Sequence, residues 1–291
     1  MTGWFVTSGY FTNDSVEYVA ESFKKAFEKE KIRFVRKKSN ELGCFLSESG
    51  EVCFDEPMPD FVLFWDKDVT LAKCIEKCGV RVFNKSSVIE ICDSKINTAV
   101  ALSNRNLPMP KTVFSPLVFS NRDETDDVFL KGLLKQLSFP IVVKEACGSF
   151  GSQVYLVKNI EQLKEIRKKL LHVPHLYQEF VSSSEGRDER IIVIGKKAVA
   201  FMQRKNDKDF RANIELGGKA YFDVPPCEFV QVAQKVAEIL DADYLGVDLL
   251  YDKSGLPLVC EVNSNAYFKG IQSVSDADIA EIYLKHIMSV L

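Results

Sequence analysis

The chain has 291 residues, 46% of them hydrophobic, with 38 basic against 41 acidic side chains and a net charge of −3. That is enough apolar material for two or three packed units, and its mildly acidic balance argues against a general affinity for nucleic acid. No run approaches the ~18 apolar residues that cross a bilayer, the start MTGWFVTSGYF lacks the basic and long apolar regions of a signal peptide, and eight cysteines without a framework of paired spacings fit a cytoplasmic chain with reduced thiols.

The first third alternates strand and helix. A short apolar run, Trp4-Phe5-Val6, precedes a polar loop, and Val16, Val19, Phe23 and Phe27 then recur at helical spacing between Asn13 and Glu30. Residues 32–35 alternate as a strand, FVLFW (61–65) reads as a buried strand, LAKCIEKC (71–78) as a helix and VRVF (80–83) as another strand. Such repeats predict a small parallel sheet covered by helices, with 40–60 as a loop or hairpin insertion. Cys74 and Cys78 share a helix face, and His172 and His175 stand three apart, but neither pair has a second pair at zinc spacing.

A helix is expected from Ser86 to about Asn104, ending before the prolines of LPMPKTVFSP (107–116). Hairpins follow. FPIVVKEA and QVYLVKN flank a glycine loop, Asn159 and Gln162 form a capping box for a helix, and LYQEFV (176–181), ERIIVIG (189–195) and AVAFMQR (198–204) read as three antiparallel strands. A helix at 226–240, strands at 244–251 and 257–263 and a closing helix from about Asp276 complete an α+β second part.

Two stretches carry chemistry. In the last hairpin, alternation puts Glu261 and Asn263 on one strand face, with Leu258, Cys260 and Val262 turned to the core. A turn centred near Ser254-Gly255 sets Asp248 across from Glu261. Either acid alone would be ordinary on a solvent-facing strand. Opposed carboxylates repel, and with the Asn263 amide oxygen they form the hard-oxygen set that Mg²⁺ takes, a metal that shares its other positions with phosphates. In the second stretch, KEACGSFGSQV (144–154), Lys144 ends a strand, and Gly148, Ser149, Gly151 and Ser152 leave backbone N–H groups free to close over phosphates. The loop lacks the Lys-Ser/Thr pair that closes a P-loop, since Ser152 and Gln153 follow Gly151, and a strand follows it where the dinucleotide fingerprint needs a helix.

Taken together, Asp93-Ser-Lys95, MPKT (109–112), VVKEACGSFGSQV (142–154), QEFVSSSEGRDER (178–190), DFRANIELGG (209–218), GVD (246–248) and CEVNSNAYFKG (260–270) resemble the RimK and LysX branch of the ATP-grasp superfamily. The resemblance implies an α/β N-terminal domain plus an α+β ATP-grasp fold, with ATP bound between two antiparallel sheets. The expected division is 1–93 for the N-terminal domain, 94–175 for a central subdomain with the lid and 176–291 for a C-terminal subdomain with the metal site. It further implies that Lys95 and Lys144 serve the phosphate and adenine sides, and that Gly148, Ser149 and Gly151 form the lid. Glu179, Phe180 and Val181 then form the hinge that reads adenine, and Asp188 holds the ribose. Arg211 and Asn213 meet the phosphates, while Arg190 and Arg204 are further candidates for charge stabilisation. Asp248, Glu261 and Asn263 would hold Mg²⁺, two ions by the family pattern, with Mn²⁺ as a substitute.

The implied activity joins a carboxylate to an amine, from small molecules or from a peptide or protein terminus, through an acyl phosphate. The alternatives are a small-molecule kinase on the same scaffold and a nucleotide-binding protein without turnover. A homo-oligomer is compatible with the sequence. Two departures stand out: Gln153 replaces a third lid glycine, and SNAYFKG replaces a Pro-Gly turn after Asn263, making Tyr267 and Lys269 candidate substrate contacts.

Overall fold

The computed structural model describes residues 1–119 and 127–291. In the first third, β1 (Thr2–Thr7), α1 (Asp14–Lys29), β2 (Arg33–Lys38), the exposed hairpin β3 (Cys44–Leu46) and β4 (Val52–Phe54), β5 (Phe61–Trp65), α2 (Val69–Lys77) and β6 (Arg81–Phe83) follow in order. Strands β2-β1-β5-β6 form one parallel sheet. Its chain reverses direction of travel between β1 and β5, so a crevice opens at their carboxyl ends. Helix α1 is started by the Asn13 side chain, which accepts from the Val16 N–H at 2.9 Å. The four apolar positions of its spacing, Val16, Val19, Phe23 and Phe27, are all buried.

The single helix expected from Ser86 is two: α3 (Ser86–Asp93) and α4 (Lys95–Leu102). Ser94 breaks them, because its extended backbone lets its hydroxyl accept from the Asn97 N–H at 3.2 Å and cap a new helix. The break places Lys95 in a first turn, where its backbone N–H donates to Ala146 O at 2.8 Å.

The central sheet has the order β7-β10-β8-β9, from β7 (Thr112–Phe114), β8 (Ile141–Glu145), β9 (Val154–Val157) and β10 (His175–Glu179), backed by α5 (Asp127–Gln136) and α6 (Ile160–Lys169). The segment 176–181 is therefore not a neighbour of the next two strands. It pairs antiparallel with β8 and β7, and a short 3₁₀ turn at Ser182–Ser184 redirects the chain after it. We propose the three-part division with its second boundary after Glu179 instead of at 175, since β10 completes the central sheet.

The last sheet, β13-β12-β11-β14-β15, is built from β11 (Arg187–Ile194), β12 (Lys197–Lys205), β13 (Lys219–Tyr221), β14 (Tyr244–Tyr251) and β15 (Pro257–Asn263), with α7 (Cys227–Leu240), a one-turn α8 (Lys269–Gln272) and the closing α9 (Ile279–Val290). Alternation divides its faces. Ile191, Val193, Leu245, Val247 and Leu249 pack under α7, α3 and α4. On the other face Ile192, Ile194, Ala200, Met202 and Tyr244 join Phe5, Phe23 and Trp65 of the parallel sheet in one core. Buried Asn84 fastens the two sheets: its Nδ2 donates to Tyr244 O and Ser264 O at 2.7 and 2.8 Å, and its Oδ1 accepts from the Asp243 and Tyr244 N–H groups. Among the described residues no helix is long and apolar enough to cross a membrane.

Candidate active site

The apolar half of that shared face gives way, toward the other end of the strands, to a charged half. Arg190 on β11 sits across from Asp248 on β14, and Asp188 across from Arg204 on β12. Asp248 receives Arg190 through two bonds of 2.7 Å, and Arg204 reaches the same carboxylate at 2.9 Å while binding Asp188 at 2.7 and 2.6 Å. Two arginines thus hold two aspartates in an alternating chain. Burial acts to raise the Asp248 carboxyl, but the two guanidiniums outweigh it and leave it below the ordinary range. Asp188 goes the other way, raised by burial despite Arg204. The neighbouring Glu189 stays outside this chain of charges and accepts from Gln203 at 2.7 Å and from the Tyr251 hydroxyl.

Asp248 does face Glu261, though by a different route from simple alternation. The turn is centred on Ser254, as the Tyr251–Pro257 and Leu250–Leu258 pairs show, and an irregularity between Asp248 and Leu249 skips Cys260. This bulge restores the Asp248–Glu261 pairing and reverses the expected parity. Val259 and Val262 enter the core, whereas Leu258 and Cys260 do not. Cys260 turns with Glu261 into the cleft, where Lys144 Nζ lies 3.5 Å from its sulfur. Asn263 lies further along the same strand, and its Nδ2 is buried without a partner among the described residues.

The cleft between the two antiparallel sheets is lined by Lys95, Lys144, Gly151, Glu179, Phe180, Val181, Asp188, Arg204, Arg211, Asn213, Asp248 and Glu261. These are twelve of the residues singled out in the sequence, gathered from segments up to 166 positions apart (261 − 95). Lys95 Nζ lies 3.3 Å from Glu261 Oε1 and 3.3 Å from Gly148 O. The Glu179 carboxylate accepts from the Lys111 N–H at 2.7 Å, pinning the hinge to the MPKT segment. Phe180 meets Phe210 edge-on at 6.3 Å. Asp188 is 7% exposed and occupied by Arg204, so its carboxylate reaches the cleft only at its edge.

Gly148, Ser149 and Gly151 form the lid between β8 and β9. Gly151 has φ +71°, a backbone that favours glycine, and a Cβ there would press on Asn213 Oδ1 at 3.0 Å. Arg211 donates to Gly151 O at 2.5 Å and is braced by Asp209 at 2.9 and 2.8 Å. Gln153 is bound into the lid: its Oε1 accepts from the Ser149 N–H at 3.3 Å and the Ser152 hydroxyl at 2.5 Å. At the tip, Phe150 stacks between Phe11 and Tyr267, centroids 6.0 and 6.2 Å apart.

Sequence reasoning did not find Asp209, Phe150, Phe11 or Cys260. Asp209 was legible in the DFR triplet; the aromatic pair and the bulge depend on contacts across the fold. Beneath the lid a second cavity of about 970 Å³ runs from Arg190, Glu261 and Asn263 to the carboxyl ends of β1 and β5, and both Tyr267 and Lys269 line it.

Residues 92–287 match the model of the RimK-like ATP-grasp domain. The chain belongs to the RimK-like ATP-grasp family. It is 32% identical over 228 residues to N-acetylaspartylglutamate synthase A of Homo sapiens, covering 78% of this chain and 57% of that protein. It is 31% identical over 217 residues to the alpha-aminoadipate–LysW ligase LysX of Saccharolobus solfataricus, covering 72% and 75%. The chain thus spans little more than half the length of the human synthase. A RimK-domain ATP-grasp protein of Sphaerobacter thermophilus superposes with a TM-score of 0.72 at 16% identity, over 99% of this chain and 100% of the other, so the shared fold takes in the N-terminal third as well.

Proposed function

We propose that this RimK-like protein is an ATP-dependent ligase that joins a carboxylate to an amine through an acyl phosphate. The observation that carries the reading is the convergence on one sheet face of Asp248, Glu261, Asn263, Arg190 and Arg204, opposite a lid anchored by Lys95 and Arg211. A carboxylate is a poor electrophile because its charge repels nucleophiles. Moving the γ-phosphoryl of ATP onto it makes phosphate a leaving group, and an amine then displaces it to leave an amide. Such chemistry rests on positioning and charge neutralisation more than on covalent help from the protein.

The roles follow from placement. Phe180 and Val181 border the base end of the cleft, Lys144 and Lys95 supply positive charge along it, and the lid N–H groups with Arg211 and Asn213 cover the phosphates. Arg190 and Arg204, already oriented by Asp248 and Asp188, stand where negative charge builds up. Asp248, Glu261 and Asn263 suit a hard divalent cation such as Mg²⁺: all three offer oxygen, and they lie on paired strands. Bound there, Mg²⁺ would neutralise phosphate charge as a Lewis acid. One ion or two, and Mn²⁺ in its place, are both served by this donor set.

The names of the relatives describe a synthase of N-acetylaspartylglutamate and a ligase of alpha-aminoadipate with LysW, so acidic amino acids and peptide termini are the first substrates to try. The test is ADP release with Mg²⁺-ATP across pairs of amino acids and peptides, with mass spectrometry of the products. Amine-dependent ADP and phosphate release with a water-loss adduct is expected. A phosphorylated product without an amide would replace the ligase by a kinase, and ATP binding without turnover in any mixture would make the chain a nucleotide-binding protein.

A further inference from the structure

The far end of the 970 Å³ cavity is lined by residues of the parallel sheet. It lies at the crevice where β1 and β5 end, and there Thr7 sits directly across from Trp65, with Asp66 next in the chain. Thr7 is 1% and Trp65 3% exposed, yet the Thr7 hydroxyl and the Trp65 indole N–H have no hydrogen-bond partner among the described residues. Leaving such a group unpaired costs about 1–3 kcal/mol. Residues around this crevice are where open parallel sheets take ligands.

Most other charge around the cavity is matched. Lys67 holds Asp93 at 2.5 Å, Lys95 holds Glu261 at 3.3 Å, and Arg190 and Arg204 hold Asp248. Glu215 and Lys269, at the rim, are exposed to solvent. Asp66 is different. It is half-buried, accepts from the Lys67 backbone N–H at 2.7 Å and from the Ser39 hydroxyl, and makes no ion pair among the described residues. Burial holds its carboxyl above the ordinary range, and its charge is felt at the Tyr267 hydroxyl. The stacked rings of Phe11, Phe150 and Tyr267 line the same cavity. A carboxylate lacking a cation, beside aromatic rings, is the chemistry that selects an ammonium group.

We propose that this corner is an ammonium-recognition subsite, in which Asp66 receives the free amino group of an amino-acid ligand beside the rings of Phe11, Phe150 and Tyr267. It rests on the ligase reading only in taking the ligand to be a substrate. Aromatic closure by Phe150 then brings lid and amino acid together in one compartment.

The chain has two tryptophans, so Trp4→Phe leaves Trp65 as the sole indole reporter in the cavity wall. Its fluorescence is titrated with the free amino acids and with their N-acetyl counterparts, and calorimetry on the unsubstituted protein repeats the comparison should Trp4→Phe unfold. At least one free amino acid is expected to change the Trp65 emission saturably, with its N-acetyl form at least tenfold weaker. Asp66→Asn should weaken the same amino acid at least tenfold while Mg²⁺-ATP affinity stays within twofold. Equal binding of the acetylated form, unchanged binding by Asp66→Asn, or silence of both signals across all free amino acids would overturn the proposal. Binding as expected without ADP release in any substrate mixture would instead sink the ligase reading and leave the subsite standing. Amine-dependent ADP release that is indifferent to Asp66→Asn does the reverse.

Discussion

Asp248 and Glu261 face each other on paired strands, but their surroundings make them unequal. Asp248 lies between Arg190 and Arg204, both largely buried, whereas Glu261 is half-exposed and meets one lysine. Removing Asp248 would leave two guanidiniums next to a single acid, Asp188. Breaking a buried pair in this way costs roughly 3–5 kcal/mol. Asp248→Ala is therefore expected to lower the melting temperature by many degrees and to abolish turnover. Glu261→Gln, nearly the same shape and leaving the Lys95 ammonium its bond to Gly148 O, is expected to fold with a melting temperature lowered less than that of Asp248→Ala and to lose at least a hundredfold in kcat. Thermal melts beside ADP-release kinetics separate the two. Equal destabilisation by both substitutions would mean that the two carboxylates share one structural role.

At the scale of the element, the lid shows what could and could not be read from the chain. The glycines at 148 and 151 and the strands on either side announce a hairpin lid, because glycine spacing and apolar runs are local signals. The part played by Gln153 was hidden. Only the folded loop brings its amide oxygen onto the Ser149 N–H and Ser152 hydroxyl, which are donors of the kind that a phosphate would take. The bulge at Cys260 was equally invisible, since one extra residue in a ladder leaves no mark on composition, yet it decides that Cys260 and not Val259 shares the cleft with Glu261. Both strands of that hairpin and the facing of its two acids were nonetheless legible, because alternation and turn chemistry are. If Gln153 competes with phosphate for the lid donors, Gln153→Ala should lower the KM for ATP about threefold with kcat little changed. A raised KM would show that the side chain instead holds the lid in its binding shape.

At the scale of the whole molecule, the parallel sheet and the last antiparallel sheet share one core, and the chain's ends are part of it: α9 packs along α1. A surface ion pair ties α1 to its own sheet. Arg36 on β2 binds Glu17 on α1 at 2.6 and 2.8 Å, and that hydrogen-bonded guanidinium, against a small opposing effect of burial, brings the Glu17 carboxyl down to about 2 from an ordinary 4.5. A carboxyl lowered in the folded state binds its proton less tightly there than in the unfolded chain. Its stabilisation is therefore complete above pH 4.5 and is lost as pH falls toward 2. Because Glu17 is well exposed, solvent screening limits the gain to about 0.5 kcal/mol. Glu17→Gln should thus melt slightly below the parent at pH 7 in low salt, and the gap should close between pH 4.5 and pH 2. A gap that stays constant down to pH 2 would mean that Glu17 acts through packing and hydrogen bonding alone. A gap that vanishes in molar salt at pH 7 would confirm that charge joins β2 to α1, leaving the shared apolar core to hold the parallel sheet against the last antiparallel one.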